Sequence, residues 1–259
     1  MTEQDHIHEC DLFLLSSYHS YYANNILEEF ASLGRRNING WGLASYDNEG
    51  RANILRSALP AFEETTGHMS REFYVASRAV SSAVILGHLR LSSRGSDEVY
   101  NNHPFRLNFL ENDWTLIHNG TARYPDRLVL PEERILTESD NDSARVFEFM
   151  RKKIIAYYTA STKKSIIEAC RFAYKELISN HEGKFNIVIS NGFISFVFIH
   201  FRPFYLLNRE KERGHVSLLS TIKLTDGEEW LEINKRGSKQ AKMLVFSGPL
   251  LIFNGDIPR

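Results

Sequence analysis

Apolar positions along this chain fall into two patterns. The first is a set of short continuous runs, Leu12 to Leu15, Leu43 to Tyr46, Ala52 to Arg56, Ala83 to Leu89 and Trp114 to Ile117, each of a length that predicts a buried strand. The second is helical spacing. Ile26, Leu27, Phe30 and Leu33 lie on one face of a helix over 23–33, stopped by Gly34. A shorter helix is expected around Ser70 to Val80, after a loop marked by Pro60 and Gly67. Ser139-x-x-Asp142 reads as a capping box, and Val146, Phe149, Met150, Ile154 and Tyr157 continue as one helical face. A second helix over Ser165 to Ile178 carries Ile166, Ile167, Ala169, Cys170, Ala173, Tyr174, Leu177 and Ile178 on a broad face, with Cys170 as core filler. Strands are expected again at 185–190, 193–200, 204–208, 216–220, 243–247 and 250–254, with Asp47 to Gly50 and Asn191-Gly192 as hairpin turns. Strands, two consecutive helices and strands again predict two packed sheets with helices outside, an α+β fold.

Polar groups cluster where two of these strands end. The run ending at Leu89 is followed by Arg90, whose planar five-donor fork suits a carboxylate. The run ending at Ile117 leads to Asn119-Gly120, a side-chain amide beside a backbone N–H that a ligand can approach closely. The pairing suggests a carboxylate anchor next to an oxyanion hole. An Asn-Gly turn remains the alternative for 119–120, as a salt bridge does for Arg90 and a buried small hydrophobe for Cys10.

His88-Leu89-Arg90 with Gly95, Asn101-x-His103-Pro104-Phe105, Trp114-x-x-x-His118-Asn119-Gly120, Asn39-Gly40-Trp41-Gly42-Leu43-Ala44 and Ser139-Asp140-Asn141-Asp142 together resemble the class II glutamine amidotransferases, in particular their stand-alone, single-domain branch. The resemblance covers about Cys10 to the end of the chain. It implies the four-layer αββα sandwich of N-terminal-nucleophile hydrolases, no metal and no organic cofactor. It also implies Cys10 as the nucleophile, Asn119 and the Gly120 N–H as the oxyanion hole, and Arg90 with Ser93 on the substrate's α-carboxylate. Asp140 takes the α-ammonium, and His103 supports the arginine loop. His88 and His118, each just before a candidate site residue, are expected to be packed or hydrogen-bonded core histidines. Asn39-Gly40-Trp41-Gly42 is either a turn before a strand or a wall of the pocket.

This chemistry needs a chain terminus, because the free α-amine serves as general base for its own thiol. Cys10 instead follows nine residues, Met1 to Glu9, polar and aperiodic with two unclustered histidines, His6 and His8. Residues 1–9 are therefore read as a flexible leader or propeptide and 10–259 as a single amidotransferase domain. Removal of Met1 alone does not expose Cys10, so either the leader is cut at Glu9, or the start lies elsewhere, or this copy is silent. If silent, it is a γ-glutamyl-binding module. If active, it acts on glutamine or another γ-glutamyl amide, and any ammonia acceptor is a separate enzyme.

Composition narrows the picture further. With 259 residues and 42% hydrophobic content the chain can bury a sizeable core. A net charge of −1 and pI near 6.8 give no basic footprint for nucleic acid or anionic lipid. The longest apolar stretch, Phe193 to Phe201, is far short of the ~20 residues that span a bilayer. Two cysteines and no signal-peptide core predict a cytoplasmic protein.

Overall fold

Leu12, Phe13, Leu14 and Leu15 make one unbroken apolar run because the strand that carries them is covered on both faces. Leu12 and Leu14 point into one buried cluster, and Phe13 and Leu15 into another. The structure, a computed structural model, describes residues 9–92, 98–130, 136–137, 139, 141–159, 165–211, 214–235, 238 and 240–258. In chain order these form β1 (Asp11–Tyr22), α1 (Asn24–Ser32), β2 (Trp41–Tyr46), β3 (Ala52–Ser57), the short pair β4 (Phe62–Glu63) and β5 (His68–Met69), α2 (Arg71–Ala79) and β6 (Ser81–Leu89). They continue through β7 (Phe105–Phe109), β8 (Asn112–Ala122), α3 (Asp142–Thr159), α4 (Ile166–Asn180), β9 (Gly183–Ser190), β10 (Ile194–Ile199), β11 (Phe204–Lys211), β12 (Gly214–Ser220), β13 (Leu231–Ile233), β14 (Ala241–Ser247) and β15 (Leu250–Ile257).

One sheet has the order β13-β11-β12-β1-β6-β2-β3 and the other β15-β14-β10-β9-β8-β7. Between them lies a shared core in which Leu12, Leu14, Val84 and Leu86 meet Ile117, Val188, Val197, Leu244 and Phe246. The outer face of the first sheet is sealed by Ile26, Leu27 and Phe30 of α1 and Phe73 and Ala76 of α2. That of the second is sealed by Val146, Phe147, Met150 and Ile154 of α3 and Ala169, Cys170, Ala173, Tyr174 and Leu177 of α4. Three cores separate four layers, so the fold is the expected four-layer αββα sandwich. Cys170 is fully buried filler, as its helical spacing predicts.

Two local readings change. The cap of α3 is Asn141, whose Oδ1 accepts from Ala144 N at 2.8 Å, and not a Ser139/Asp142 box. Ser139 Oγ instead accepts from Asn141 N and donates to Asn101 Oδ1, tying the helix start to the loop before β7. The capping box is at α4, where Ser165 and Glu168 bond reciprocally. The second change is at β8, which does not end at Asn119-Gly120 in a turn. It runs on to Ala122, with Asn119 opposite Asn186 and Gly120 opposite Phe185 on β9. Asn191-Gly192, by contrast, is the hairpin its sequence predicts, Asn191 Oδ1 accepting from Phe193 N and Ile194 N.

Candidate active site

Cys10 lies immediately before β1, the central strand of its sheet. Pairing of Asp11 with Leu89 on β6 sets it beside the chain that leaves β6. Leu91 N donates to Cys10 Sγ at 3.3 Å, and the thiol donates to Leu91 O at 3.4 Å. From the opposite sheet, Asn119 Nδ2 donates to the Cys10 carbonyl at 2.6 Å. Each sheet thus delivers one polar strand segment to the same residue.

The 39–42 segment holds the arginine loop. Arg90 N donates to Gly40 O, Asn39 N donates to Arg90 O, and Ser92 N donates to Asn39 Oδ1 at 2.9 Å. A side chain at Gly42 would put its Cβ 1.9 Å from His103 O, so the 101–105 loop packs directly on β2 only because this residue is glycine. Gly120, at φ +152°, has the same property toward Lys184 O, also 1.9 Å from an added Cβ.

Arg90 is 5% exposed and donates to Asn102 Oδ1 at 3.3 Å and Ser92 Oγ at 3.1 Å. It lines one cavity with Cys10, Ser92, Asn101, Gly120 and Asp142, together with His88, His103 and His118. Ser93 and Asp140, expected at the α-carboxylate and α-ammonium, lie outside the described residues. Asp142, inside them, accepts from Ala122 N at 2.8 Å through Oδ2. The structure therefore brings together Cys10, Arg90, Asn119, Gly120 and His103.

Electrostatically this is a place of suppressed charge. Burial raises the Cys10 thiol to about 11, opposed by the Leu91 N–H and by nearby Arg90. Burial also lowers His88 to about 3 and holds His103 well below its ordinary value. His118 is lowered too, by burial, although Asp142 opposes the shift. All three imidazoles are neutral at pH 7. His88 and His103 stack with ring centroids 4.3 Å apart. His118 is hydrogen-bonded as well as packed, Nδ1 to Ser143 Oγ at 2.9 Å and Nε2 to Lys184 O at 3.0 Å. Neutral, buried imidazoles of this kind suit packing and support better than general-base chemistry. Among the described residues no three His, Cys, Asp or Glu side chains are grouped to hold a metal ion, and no helix is long and apolar enough to cross a membrane.

One part of the site is missing from the sequence reading. Arg202, in the β10–β11 turn, donates through Nη1 to the Cys10 carbonyl at 3.1 Å and through Nη2 to Asp11 Oδ1 at 2.9 Å. Asp11 is buried and also accepts from Asn37 Nδ2 and Thr221 Oγ1. A signal exists in hindsight. His200-Phe201-Arg202 repeats the His-x-Arg of His88-Leu89-Arg90 at the end of an apolar run.

Comparison with known proteins shows the same fold. Solved structures with the same fold include the glutamine phosphoribosylpyrophosphate amidotransferase of B. subtilis complexed with ADP and GMP, at TM-score 0.66 and 15% identity over 96% of this chain and 49% of that one. A "predicted glutamine amidotransferase" of Pseudomonas aeruginosa aligns at TM-score 0.60 and 18% identity, covering 94% of this chain and all of that one. Among curated sequences, an uncharacterised protein of Methanocaldococcus jannaschii is 23% identical over 200 residues, 74% of this chain and 52% of its own. YafJ of Escherichia coli is 24% identical over 155 residues, 59% of this chain and 57% of its own. The chain thus spans little more than half the length of these two relatives. The family model for "Glutamine amidotransferases class-II" matches residues 10–218, starting on Cys10 itself. On that match over most of its length, the chain belongs to the class II glutamine amidotransferases.

Proposed function

We propose that this chain, once it begins at Cys10, hydrolyses the γ-amide of glutamine or of another γ-glutamyl compound. The observation that carries the reading is the convergence on Cys10. Its thiol is hydrogen-bonded to Leu91, Arg90 lines the same cavity, and the Asn119 amide nitrogen lies 2.6 Å from its carbonyl. Residues 1–9 act as a leader and 10–259 as one amidotransferase domain.

The free α-amine of Cys10, titrating near ~7.7–8.0, accepts the thiol proton. The thiolate attacks the γ-carbonyl carbon, and the developing oxyanion accepts from Asn119 Nδ2 and Gly120 N–H. An amide nitrogen carries two protons, so Asn119 can bond the Cys10 carbonyl with one and the oxyanion with the other. The α-ammonium returns its proton to the leaving nitrogen, the C–N bond breaks, and a γ-glutamyl thioester with ammonia or an amine results. Water then adds to the thioester, releasing glutamate and the thiol. Arg90 and Ser93 hold the substrate's α-carboxylate, and Asp140 its α-ammonium. Such a clamp reads only the glutamyl half, which leaves the leaving group open. Where ammonia is put to use, an acceptor enzyme or domain takes it up.

A second reading has its own observation. While Glu9 is attached, the Cys10 nitrogen is an amide and no base, the thiol sits up at about 11, and Glu9 is itself paired to Lys184 at 2.8 Å. In that state the protein is a dormant γ-glutamyl-binding module. Labelling by a glutamine-like electrophile, with a panel of γ-glutamyl amides assayed for glutamate release, separates the two. The enzyme reading expects stoichiometric modification at Cys10 and glutamate from at least one amide. It fails if a chain starting at Cys10 gives neither.

A further inference from the structure

Arg202 makes no contact that the clamp or the oxyanion hole requires, yet it is built into the site from two directions. Its guanidinium spans two adjacent residues, Nη1 on the Cys10 carbonyl at 3.1 Å and Nη2 on the Asp11 carboxylate at 2.9 Å, with the arginine side chain 18% exposed and the Asp11 side chain 2%. The turn that presents it is fastened by Asn186, the cross-strand partner of Asn119. Asn186 Nδ2 donates to Arg202 O at 2.6 Å, and its Oδ1 accepts from His200 N and Phe201 N. Asp11, in turn, is held by Asn37 and by Thr221, whose hydroxyl also accepts from Leu12 N.

We infer that Arg202 is a positioning residue for the nucleophile, gripping the Cys10 carbonyl so that the α-amine, the thiol and the Asn119 amide keep one mutual geometry through turnover. The physical reason is the location of Cys10. Once it is the first residue of the chain, nothing N-terminal anchors it, and its rotation about the Cα–C bond would swing amine and thiol away from the γ-carbonyl. A charged, bidentate donor bonded to the carbonyl on one side and to Asp11 on the other removes that freedom. Asn119 shares the same carbonyl oxygen at 2.6 Å. Loss of Arg202 therefore also loosens the oxyanion donor, whose remaining N–H must point at the oxygen where charge develops. Because Arg202 touches the enzyme's own backbone, its effect falls on the chemical step.

This assignment rests on the proposed hydrolase reading. The test compares the wild type with Arg202→Ala and Arg202→Lys, each with a chain starting at Cys10, on the best γ-glutamyl amide, with melting curves to confirm folding. A misplacement of order 1 Å costs about 10²-fold in rate. Arg202→Ala is expected to lose kcat by about that factor, with KM held within about twofold. Arg202→Lys, which keeps one charged donor but not the fork, recovers part of the loss. A purely structural role would lower the melting temperature and the fraction of sites labelled by a glutamine-like electrophile, and leave kcat per labelled site unchanged. An Arg202→Ala enzyme with unimpaired kcat, or a loss carried wholly by KM, overturns the assignment and leaves the hydrolase reading standing. If Arg202→Ala does not fold, full kcat in Arg202→Lys overturns it equally. A wild type that starts at Cys10 and turns over no γ-glutamyl amide overturns the functional reading, and this assignment with it.

Discussion

His88-Leu89-Arg90 and His200-Phe201-Arg202 are the same kind of tripeptide, each carrying its chain out of an apolar strand, one from each sheet. Arg90 is drawn inward over the cavity beside Cys10, and its hydrogen-bond partners include the neutral Asn102 and Ser92. Arg202 meets a buried carboxylate and a main-chain carbonyl, both belonging to the start of β1. The histidines diverge as well. His88 stacks on His103 inside the cavity wall, whereas His200 stacks on Phe185 at 6.0 Å and gives its backbone N–H to Asn186. An arginine's task is decided by what the topology sets against its fork. The Arg202–Asp11 ion pair uses the arginine's charge to hold the protein itself, whereas Arg90 is turned toward the cavity beside Cys10.

The largest effect should come from Asn119, which shares the Cys10 carbonyl with Arg202. Asn119→Ala removes one of the two donors at the Cys10 carbonyl and one of the two proposed oxyanion donors together. It is expected to cost ~10²–10³ in kcat, about 2.7–4 kcal/mol, with thermal stability changed far less. Steady-state kinetics beside a melting curve checks it. A loss of stability without a loss of kcat would mean the residue serves the ladder alone.

Next is Arg90. On the clamp reading Arg90→Ala raises KM by about 10²-fold, in line with losing a charged hydrogen-bonded pair, and lowers kcat less. Arg90→Lys should not rescue it, because a point charge lacks the two-pronged fork. The opposite split, kcat for Arg202 and KM for Arg90, is what distinguishes the two arginines. If both variants move the same constant, the distinction is wrong.

The buried imidazoles give a third difference, in stability. With His88 at about 3 and His103 also far below its ordinary value, the folded state binds fewer protons than the unfolded state between those values and about 6.5. Their contribution is fully present above pH 6.5 and is lost as pH falls, at up to about 1.4 kcal/mol per pH unit for each histidine. Urea midpoints measured from pH 7 to pH 4.5 should fall steadily, and His88→Asn should flatten the slope. A pH-independent midpoint would contradict it.

The smallest effect is expected between the sheets but away from Cys10, where the Tyr46 hydroxyl bonds Thr115 Oγ1 at 2.6 Å and Ser190 O at 2.7 Å. Tyr46→Phe should cost about 1 kcal/mol of stability and leave kcat and KM as they were. An altered kcat would show that the two ends of the sandwich are coupled.

Most of the fold could be read from apolar spacing, because each helix has one buried face and each central strand is covered on both sides. What escaped had a weaker signal for a physical reason. β7 is a five-residue edge strand, alternating Phe105, Leu107 and Phe109 with Arg106 and Asn108 inside a stretch read for its motif. β13 is three residues at the other sheet's edge. The second half of β1, Ser16 to Tyr22, is polar and broken by a register shift between Ser16 and Tyr21, so no apolar run marks it. Within the site, Cys10, Arg90 and Asn119 stood out through the motifs around them. Arg202 did not, since its role depends on Asp11, distant by 191 positions in sequence, and only the folded topology joins them.

The central claim is that Cys10 works as a chain terminus. Intact mass and N-terminal sequence of the purified protein, read beside glutamate release from the same sample, test it directly. Active preparations should begin at Cys10, and those retaining Glu9 should release nothing. Full activity in a chain still carrying residues 1–9 would contradict it, because the base would then have to be a group other than the Cys10 amine.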